Sequence, residues 1–247
     1  RFRWGVIGTG GIAKQFARDL KNTSNQSVAA VGSRTMGKAE TFAKEFSAIP
    51  YGSYEELVHS DVDAIYVATP HSAHAENAIL ALEANQTPLM EAMWSRFLPH
   101  YKIVRESISN GEIGEIVAIY ADHGQALPAD PYYRLHAPEL AGGALLDLGI
   151  YPISLTHLIL GNPDQIIAAS DFTASGVDAN TSMIFTYLNG AHALLNTTLL
   201  IRTPTTATIV GTKGKIEIFG SFYSPTSFRI TYGIESREYK NEYLKAH

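Results

Sequence analysis

The sequence predicts an α/β protein in two parts: a doubly wound parallel sheet first, then an α+β domain on a large, mostly antiparallel sheet. Three observations predict it. An apolar strand tips into a glycine turn and a helix at Val6-Ile7-Gly8-Thr9-Gly10-Gly11-Ile12-Ala13. Apolar runs of strand length then alternate with helical periodicities as far as Ser109. Beyond that point β-rich runs joined by glycine turns take over, and Asn189-Gly190 between two of them is a strong hairpin signal.

In the first part, Phe2 to Gly8 suits a buried parallel strand, and Ile12, Phe16 and Leu20 recur at helical spacing until Lys21-Asn22 ends the helix. Val28 to Gly32 follows at the distance that a strand–helix–strand unit needs. Lys38 to Phe46 carries Ala39, Phe42, Ala43 and Phe46 at i, i+3, i+4 and i+7, one apolar helix face. Tyr51 closes a short strand, and Ser53 with Glu56 three residues later caps a short helix. Asp63 to Pro70 is a further buried strand. The helix opening at His71 presents Ala75, Ala78, Ile79 and Leu82 as its inward stripe and ends near Ala84, and Pro88 to Ala92 is expected as the last strand of this part.

In the second part, Pro99 opens a helix with Tyr101, Val104 and Ile108 on one face, stopped by Asn110-Gly111. Glu115 to Ala121 alternates as a strand. Gly142 to Leu160 reads as one helix bent at Pro152, which deletes a backbone hydrogen bond. Thr181 to Tyr187, Ala193 to Leu200, Thr206 to Val210 and Lys215 to Phe219 are strands. Helices must cover one face of their sheet, and a second subunit can cover the other. The expected domains are 1–110 and 111–247.

The chemistry is concentrated in the first turn. Gly8 permits the tight bend, Gly10 lets the backbone approach a pyrophosphate, and the helix behind them aims unpaired N–H groups at it. A glycine turn can be purely steric. Its placement between a strand and a helix favours the dinucleotide, which makes Gly8, Thr9, Gly10, Gly11 and Ile12 the candidate phosphate cradle. Where an NAD site places a carboxylate on the adenosine ribose, this chain has Ser33-Arg34-Thr35. A guanidinium and two hydroxyls suit a 2′-phosphate, so NADP is expected over NAD. Thr69, Pro70 and His71 end a parallel strand, where open α/β sheets bind ligands. His71 and His74 lie at i, i+3, but no third ligand has metal spacing, so no metal is expected.

The composition narrows the remaining classes. With 247 residues and a formal charge of −5, the chain has no general attraction to nucleic acid or anionic membrane. It has no Cys, hence no disulfide framework and no thiolate nucleophile. No stretch reads as a cleaved signal or as an apolar run long enough to span a bilayer, so a cytoplasmic protein is expected.

The residues also resemble the glucose-fructose oxidoreductase, inositol dehydrogenase and MocA family, in particular the branch of dimeric dihydrodiol dehydrogenases and NADP-dependent xylose dehydrogenases. The stretches that carry the resemblance are 4–13, Gly32-Ser33-Arg34, 51–57, Ala68-Thr69-Pro70-His71-Ser72-Ala73-His74, 90–99 and 142–152, in the family's order. The resemblance implies a Rossmann domain, a substrate domain and a hydride transfer between nicotinamide and a sugar or cyclic diol. It assigns Tyr151 as proton donor or acceptor and Asp147 as its polar neighbour, and it places His74, Glu91, Trp94 and Arg96 with the cofactor residues. Arg202 and Tyr132 are implied near the substrate, and a homodimer or higher homo-oligomer through the C-terminal sheet.

Two departures are visible. The family carries a further strand closing on Glu-Lys-Pro, then a helix, where this chain passes from residue 81 to residue 87 without either. That Lys is catalytic in the family, and Arg96 and His71 are the candidates to supply its charge. The chain also ends at Lys245-Ala246-His247, before the family's last helices, so the second domain is expected to be incomplete there. A phenol can serve hydride transfer only where its environment makes the ionised form accessible. The competing expectation is therefore a dinucleotide-binding homologue without catalysis.

Overall fold

The computed structural model describes all residues except 86–87, 129, 131–132 and 242–247. The chain forms two compact units, Arg1–Glu91 and Ala92–His247.

In the first unit, β1 (Phe2–Ile7), β2 (Gln26–Gly32), β3 (Ile49–Tyr51) and β4 (Ala64–Val67) form a parallel sheet in the order β3-β2-β1-β4. Successive strands step one way from β1 to β3, and β4 returns to the other side of β1. Helices cover both faces, as a doubly wound sheet requires. On one face α1 (Gly11–Lys21) and α2 (Met36–Phe46) bury Ala13, Ala17, Ala39 and Phe42 with Val6 and Val31. On the other, α3 (Tyr54–Val58) and α4 (His74–Asn85) set Leu57, Val58, Leu80, Ala81 and Ala84 against Ile7 and Ala30. The Ser53 cap forms as expected, its Oγ accepting from the Glu56 N–H at 3.1 Å.

Three expectations change here. Ala75 and Ile79 of α4 are exposed, and the packed residues are Leu80, Ala81 and Ala84. The helix is apolar on nearly every side, so its spacing does not define a face. Residues 88–92 form no strand. A strand needs a neighbour, and β4 pairs with β1 alone among the described residues, which also leaves β4 half-buried rather than buried.

In the second unit, β5 (Ile116–Gly124), β6 (Gln165–Phe172), β7 (Asp178–Thr186), β8 (His192–Thr198), β9 (Ala207–Gly211), β10 (Gly214–Ile218), β11 (Phe228–Tyr232) and β12 (Glu235–Tyr239) make one sheet. Its order is β12-β11-β10-β9-β5-β8-β7-β6, antiparallel except for the parallel pair β5–β8. The helix α5 (Pro99–Ser109) buries Tyr101 and Val104 among Ile119, Ile209 and Ile216 of that sheet, and α6 (Ile150–Leu160) adds Leu155. The units therefore divide at Glu91/Ala92 rather than at 110, because the helix at 99–109 belongs to the second core. On the opposite face, Ile167, Ile184, Leu194 and Tyr120 stand in register across four strands, all of them exposed.

The stretch expected as one bent helix, Gly142 to Leu160, is wound continuously from Ala144 as expected, but its first part is a π turn over Leu145–Gly149 that runs straight into α6. Contrary to expectation, Pro138–Leu160 is long and apolar enough by composition to cross a membrane. Its winding is broken, however, and Ala144, Leu148, Leu155 and Thr156 are buried within the unit.

Candidate active site

At the carboxyl ends of three adjacent strands of the first unit, Ile7 stands level with Gly32 on one side and Val67 on the other. The strand order reverses between β1 and β4, which makes this the switch point where doubly wound sheets bind ligands. Gly8 turns the chain with φ +105°, its N–H donating to the Gly32 carbonyl at 3.0 Å. A Cβ there would lie 2.6 Å from the Ala68 carbonyl oxygen, so only glycine fits. At Gly10 and Gly11 the space a Cβ would fill is open, with nothing within 4 Å. α1 starts there with no acidic residue in its first turn, so no carboxylate of that turn competes for its N–H groups. Thr9 is half-buried and Ile12 exposed.

The neighbouring strand ends complete the rim. Ser33 is buried, its N–H donating to Tyr51 O at 3.2 Å, and Arg34 is exposed beside it. Thr69 is buried and doubly tied to α4: His74 Nε2 donates to its carbonyl at 2.8 Å, and the Asn77 amide donates to its hydroxyl at 3.3 Å. His74 is thus engaged in holding the Thr69-Pro70 loop, and the His71 ring meets it edge-on at 5.4 Å. Glu91 lies exposed in coil at the end of this unit, apart from any strand.

The second unit assembles an aromatic cluster around Tyr151, which sits in the first turn of α6. The Trp94 indole N–H donates to the Tyr151 phenol oxygen. Its ring lies 4.5 Å from Tyr223 and 5.4 Å from His123, and those two rings are 4.4 Å apart. Asp147, in the π turn, accepts two parallel bonds from Arg134 at 2.9 and 3.2 Å. This bidentate fork fixes the carboxylate's orientation. Burial pushes the Tyr151 phenol above its ordinary 10.0, the Trp94 bond opposes that, and the Asp147 and Tyr223 charges add to it. Burial likewise pulls His123 below 6.5, against the Leu148 carbonyl bond and the charges of Asp147 and Asp122.

The predicted residues therefore fall into two groups. The sheet ends gather Gly8 to Ile12, Ser33, Arg34, Thr69, Pro70 and His71, while Asp147, Tyr151 and Trp94 gather in the second unit. Arg96, half-buried on the same 3₁₀ turn as Trp94, is not among the groups that act on the phenol. Arg202 is exposed in the loop before β9, and Tyr132 lies outside the described residues. His123, Tyr223 and Arg134 escaped the sequence reading. For His123 a signal existed: Ile119, Ala121 and His123 alternate inward on β5, and a histidine on a buried strand face has to find partners.

Comparison with known proteins covers both units. Residues 2–91 match the family model described as oxidoreductase family, NAD-binding Rossmann fold, and residues 101–217 match that of the GFO/IDH/MocA C-terminal domain. The D-xylose 1-dehydrogenase (NADP(+)) of Hypocrea jecorina is 33% identical over 294 residues, taking in 92% of this chain and 74% of that one. The trans-1,2-dihydrobenzene-1,2-diol dehydrogenase of Mus musculus is 34% identical over 257 residues, 91% of this chain and 76% of that one. Both alignments are longer than the 247-residue chain, so these relatives carry residues that it lacks. Among solved structures, KijD10, a 3-ketoreductase from Actinomadura kijaniata crystallised with NADP and TDP-benzene, superposes with a TM-score of 0.84 at 24% identity, covering 97% of this chain and 84% of that one. The aldose-aldose oxidoreductase of Caulobacter crescentus gives 0.85 at 21% identity over 98% and 84%.

Proposed function

Because the chain belongs to the GFO/IDH/MocA family of oxidoreductases, we propose that it is an NADP-dependent dehydrogenase or reductase acting on a CH–OH or C=O carbon of a sugar or cyclic diol. The observation that carries this reading is the Gly8–Gly11 turn, whose open backbone and acid-free helix start leave a cradle for a diphosphate. Ser33 and Arg34 at the end of β2, with no carboxylate between them and α2, fit a 2′-phosphate in place of a bare ribose hydroxyl. NADP, when bound, supplies or takes the hydride at its nicotinamide ring.

The protein's own part is orientation and proton handling. Thr69 and Pro70, held by His74 and Asn77, give the switch-point rim a fixed shape. Tyr151 gives its proton to a carbonyl oxygen in reduction, or takes one from a hydroxyl in oxidation. A phenol whose pKa is raised stays protonated through neutral pH, which favours its acting as the acid, in the reductive direction. Arg134 holds Asp147 turned, so the carboxylate serves as a fixed acceptor on the same turn. The row Ile167, Ile184, Leu194 and Tyr120 fits burial against a second copy of this chain.

A second reading, a dinucleotide binder that does not turn over, is favoured by two observations. Among the described residues the groups that act on Tyr151 include no cation, and the relatives carry residues absent here. The test is NADP⁺ titration of the purified protein, followed by reduced-nicotinamide absorbance with D-xylose and with trans-1,2-dihydrobenzene-1,2-diol. Turnover of either supports the dehydrogenase. Binding without turnover selects the binder, and no binding of NADP⁺ or NAD⁺ defeats both.

A further inference from the structure

We propose that His123 is a positioning residue for Tyr151: its Nδ1–H replaces the helical hydrogen bond that Pro152 deletes, and so fixes the turn that carries Asp147 and Tyr151. The inference rests on Tyr151 being the proton-handling group of the reading above. Pro152 is the third residue of α6, and its nitrogen has no hydrogen. The Leu148 carbonyl, four residues earlier, is thereby deprived of its ordinary α-helical donor. The chain is wound at that place as a π turn, Leu145–Gly149, of the kind that interrupts α-helices at functional sites.

The Ile150 N–H, two residues on, also reaches this carbonyl, and a buried carbonyl oxygen has a second lone pair to satisfy. His123, only 1% exposed on β5, holds Nδ1 at 3.1 Å from Leu148 O. A carbonyl can only accept, so Nδ1 carries the hydrogen. The Gln125 amide nitrogen lies 3.1 Å from Nε2, where it donates to the unprotonated ring nitrogen. Both nitrogens are satisfied in a single neutral tautomer, and the ring cannot turn over without breaking both bonds.

A second tie acts beside it. Thr197 Oγ1 on β8 is shared between His123 O at 3.0 Å and Ala144 O at 3.3 Å, joining the strand to the residue before the π turn. At Gly149 a Cβ would meet Thr197 Cγ2 at 3.0 Å, so the turn is pressed onto the sheet. The same imidazole then lies against the phenol ring, inclined at 67°, with Tyr223 bearing on both. The phenol's ring is held between His123 and Tyr223, and the turn that leads into it is held by the His123 bond to the Leu148 carbonyl. Phenylalanine at 123 would keep the bulk and lose the donor, which separates the hydrogen bond from packing.

The test compares His123→Phe and His123→Asn, each with Pro152 intact and with Pro152→Ala. The readouts are NADP⁺ affinity and kcat and KM for D-xylose and trans-1,2-dihydrobenzene-1,2-diol. His123→Phe is expected to lower kcat about 10- to 100-fold, the scale of a misplacement near 1 Å, with NADP⁺ affinity unchanged. His123→Asn, whose amide can donate from the Nδ1 position, recovers most of the loss. The loss shrinks beside Pro152→Ala, which returns an N–H to the Leu148 carbonyl. A His123→Phe kcat equal to wild type, or an equal loss in both backgrounds, overturns the proposal. Nitrogen NMR of the unmodified protein gives a readout free of activity and of variant folding: His123 is expected as the Nδ1–H tautomer, and Nε2–H overturns the proposal. If neither substrate turns over, that counts against the dehydrogenase reading, and the tautomer still decides on His123.

Discussion

Gly8→Ala and Gly10→Ala are expected to damage different things, although the two glycines are two residues apart. At Gly8 the methyl meets a backbone carbonyl at 2.6 Å and sits at φ +105°, where an L side chain is strained. The strained dihedral alone costs about 1–3 kcal/mol, and the carbonyl cannot move aside without breaking the Ala68 N–H bond to Ile7 O at 2.8 Å. A total of about 2–4 kcal/mol follows, equivalent to about 5–15 °C in Tm for a chain of this size. At Gly10 the backbone is extended, φ −74° and ψ −175°, and nothing lies within 4 Å. Alanine there costs under about 1 kcal/mol in helix capping, but its methyl occupies the phosphate cradle. Losing one charge-assisted bond to the diphosphate weakens NADP⁺ binding by about 1.5–3 kcal/mol, roughly 10- to 150-fold. Differential scanning calorimetry and fluorescence titration with NADP⁺ read the two effects separately. If Gly8→Ala melts within about 1 °C of wild type, or if Gly10→Ala binds NADP⁺ at full strength, the geometry argued for this turn is wrong.

Four further outcomes are expected. Arg34→Ala weakens NADP⁺ about tenfold and leaves NAD⁺ affinity unchanged, by titration of both; equal losses would remove Arg34 from the 2′-phosphate. Tyr151→Phe lowers kcat by about 10²–10⁴, and the wild-type oxidation rate climbs with pH towards and beyond the ordinary phenol value of 10.0, a slope absent in the variant, by stopped assay across pH. Burial holds His100 and His123 below the ordinary 6.5, so unfolded chains bind protons that the native state refuses. Their contribution is whole above 6.5 and declines as the pH falls below it, which urea midpoints on either side of that value will show. Ile184→Asp halves the mass measured by light scattering if its outer sheet face joins two copies, and an unchanged mass would clear that face.

The parts of the fold legible in the sequence were those written in local chemistry. The first turn is legible because a backbone at φ +105° against a carbonyl admits one residue type, and Ser53 with Glu56 spells its own cap. Asp147 and Tyr151 were marked by the family resemblance and not by their spacing, and a π turn joins the two. The strand expected at 88–92 fails because a strand depends on a neighbour, and spacing along one segment cannot say whether that neighbour exists. The strand β6 was missed because Gln165–Phe172 is exposed along its whole length at the sheet edge, so no buried alternation marks it. β11 alternates inward at Phe228 and Ile230, a signal that was there to be read. His123 and Pro152 lie far apart in the chain, and only the folded sheet brings the imidazole to the carbonyl whose α-helical donor the proline removes.

The parallel pairing of β5 with β8 has a consequence for how the second unit is made. β5 lies at the middle of the sheet, between β9 and β8, yet both neighbours come from segments more than sixty residues later in the chain. During synthesis β5 must wait, with both edges open, until β6, β7 and β8 have emerged from the ribosome. High contact order of this kind slows folding and lengthens the interval in which an unpaired apolar strand can meet another chain. Chaperone dependence of the nascent polypeptide should therefore be set by the centre of this sheet, while the short-range β10–β11 and β11–β12 hairpins close soon after their residues emerge.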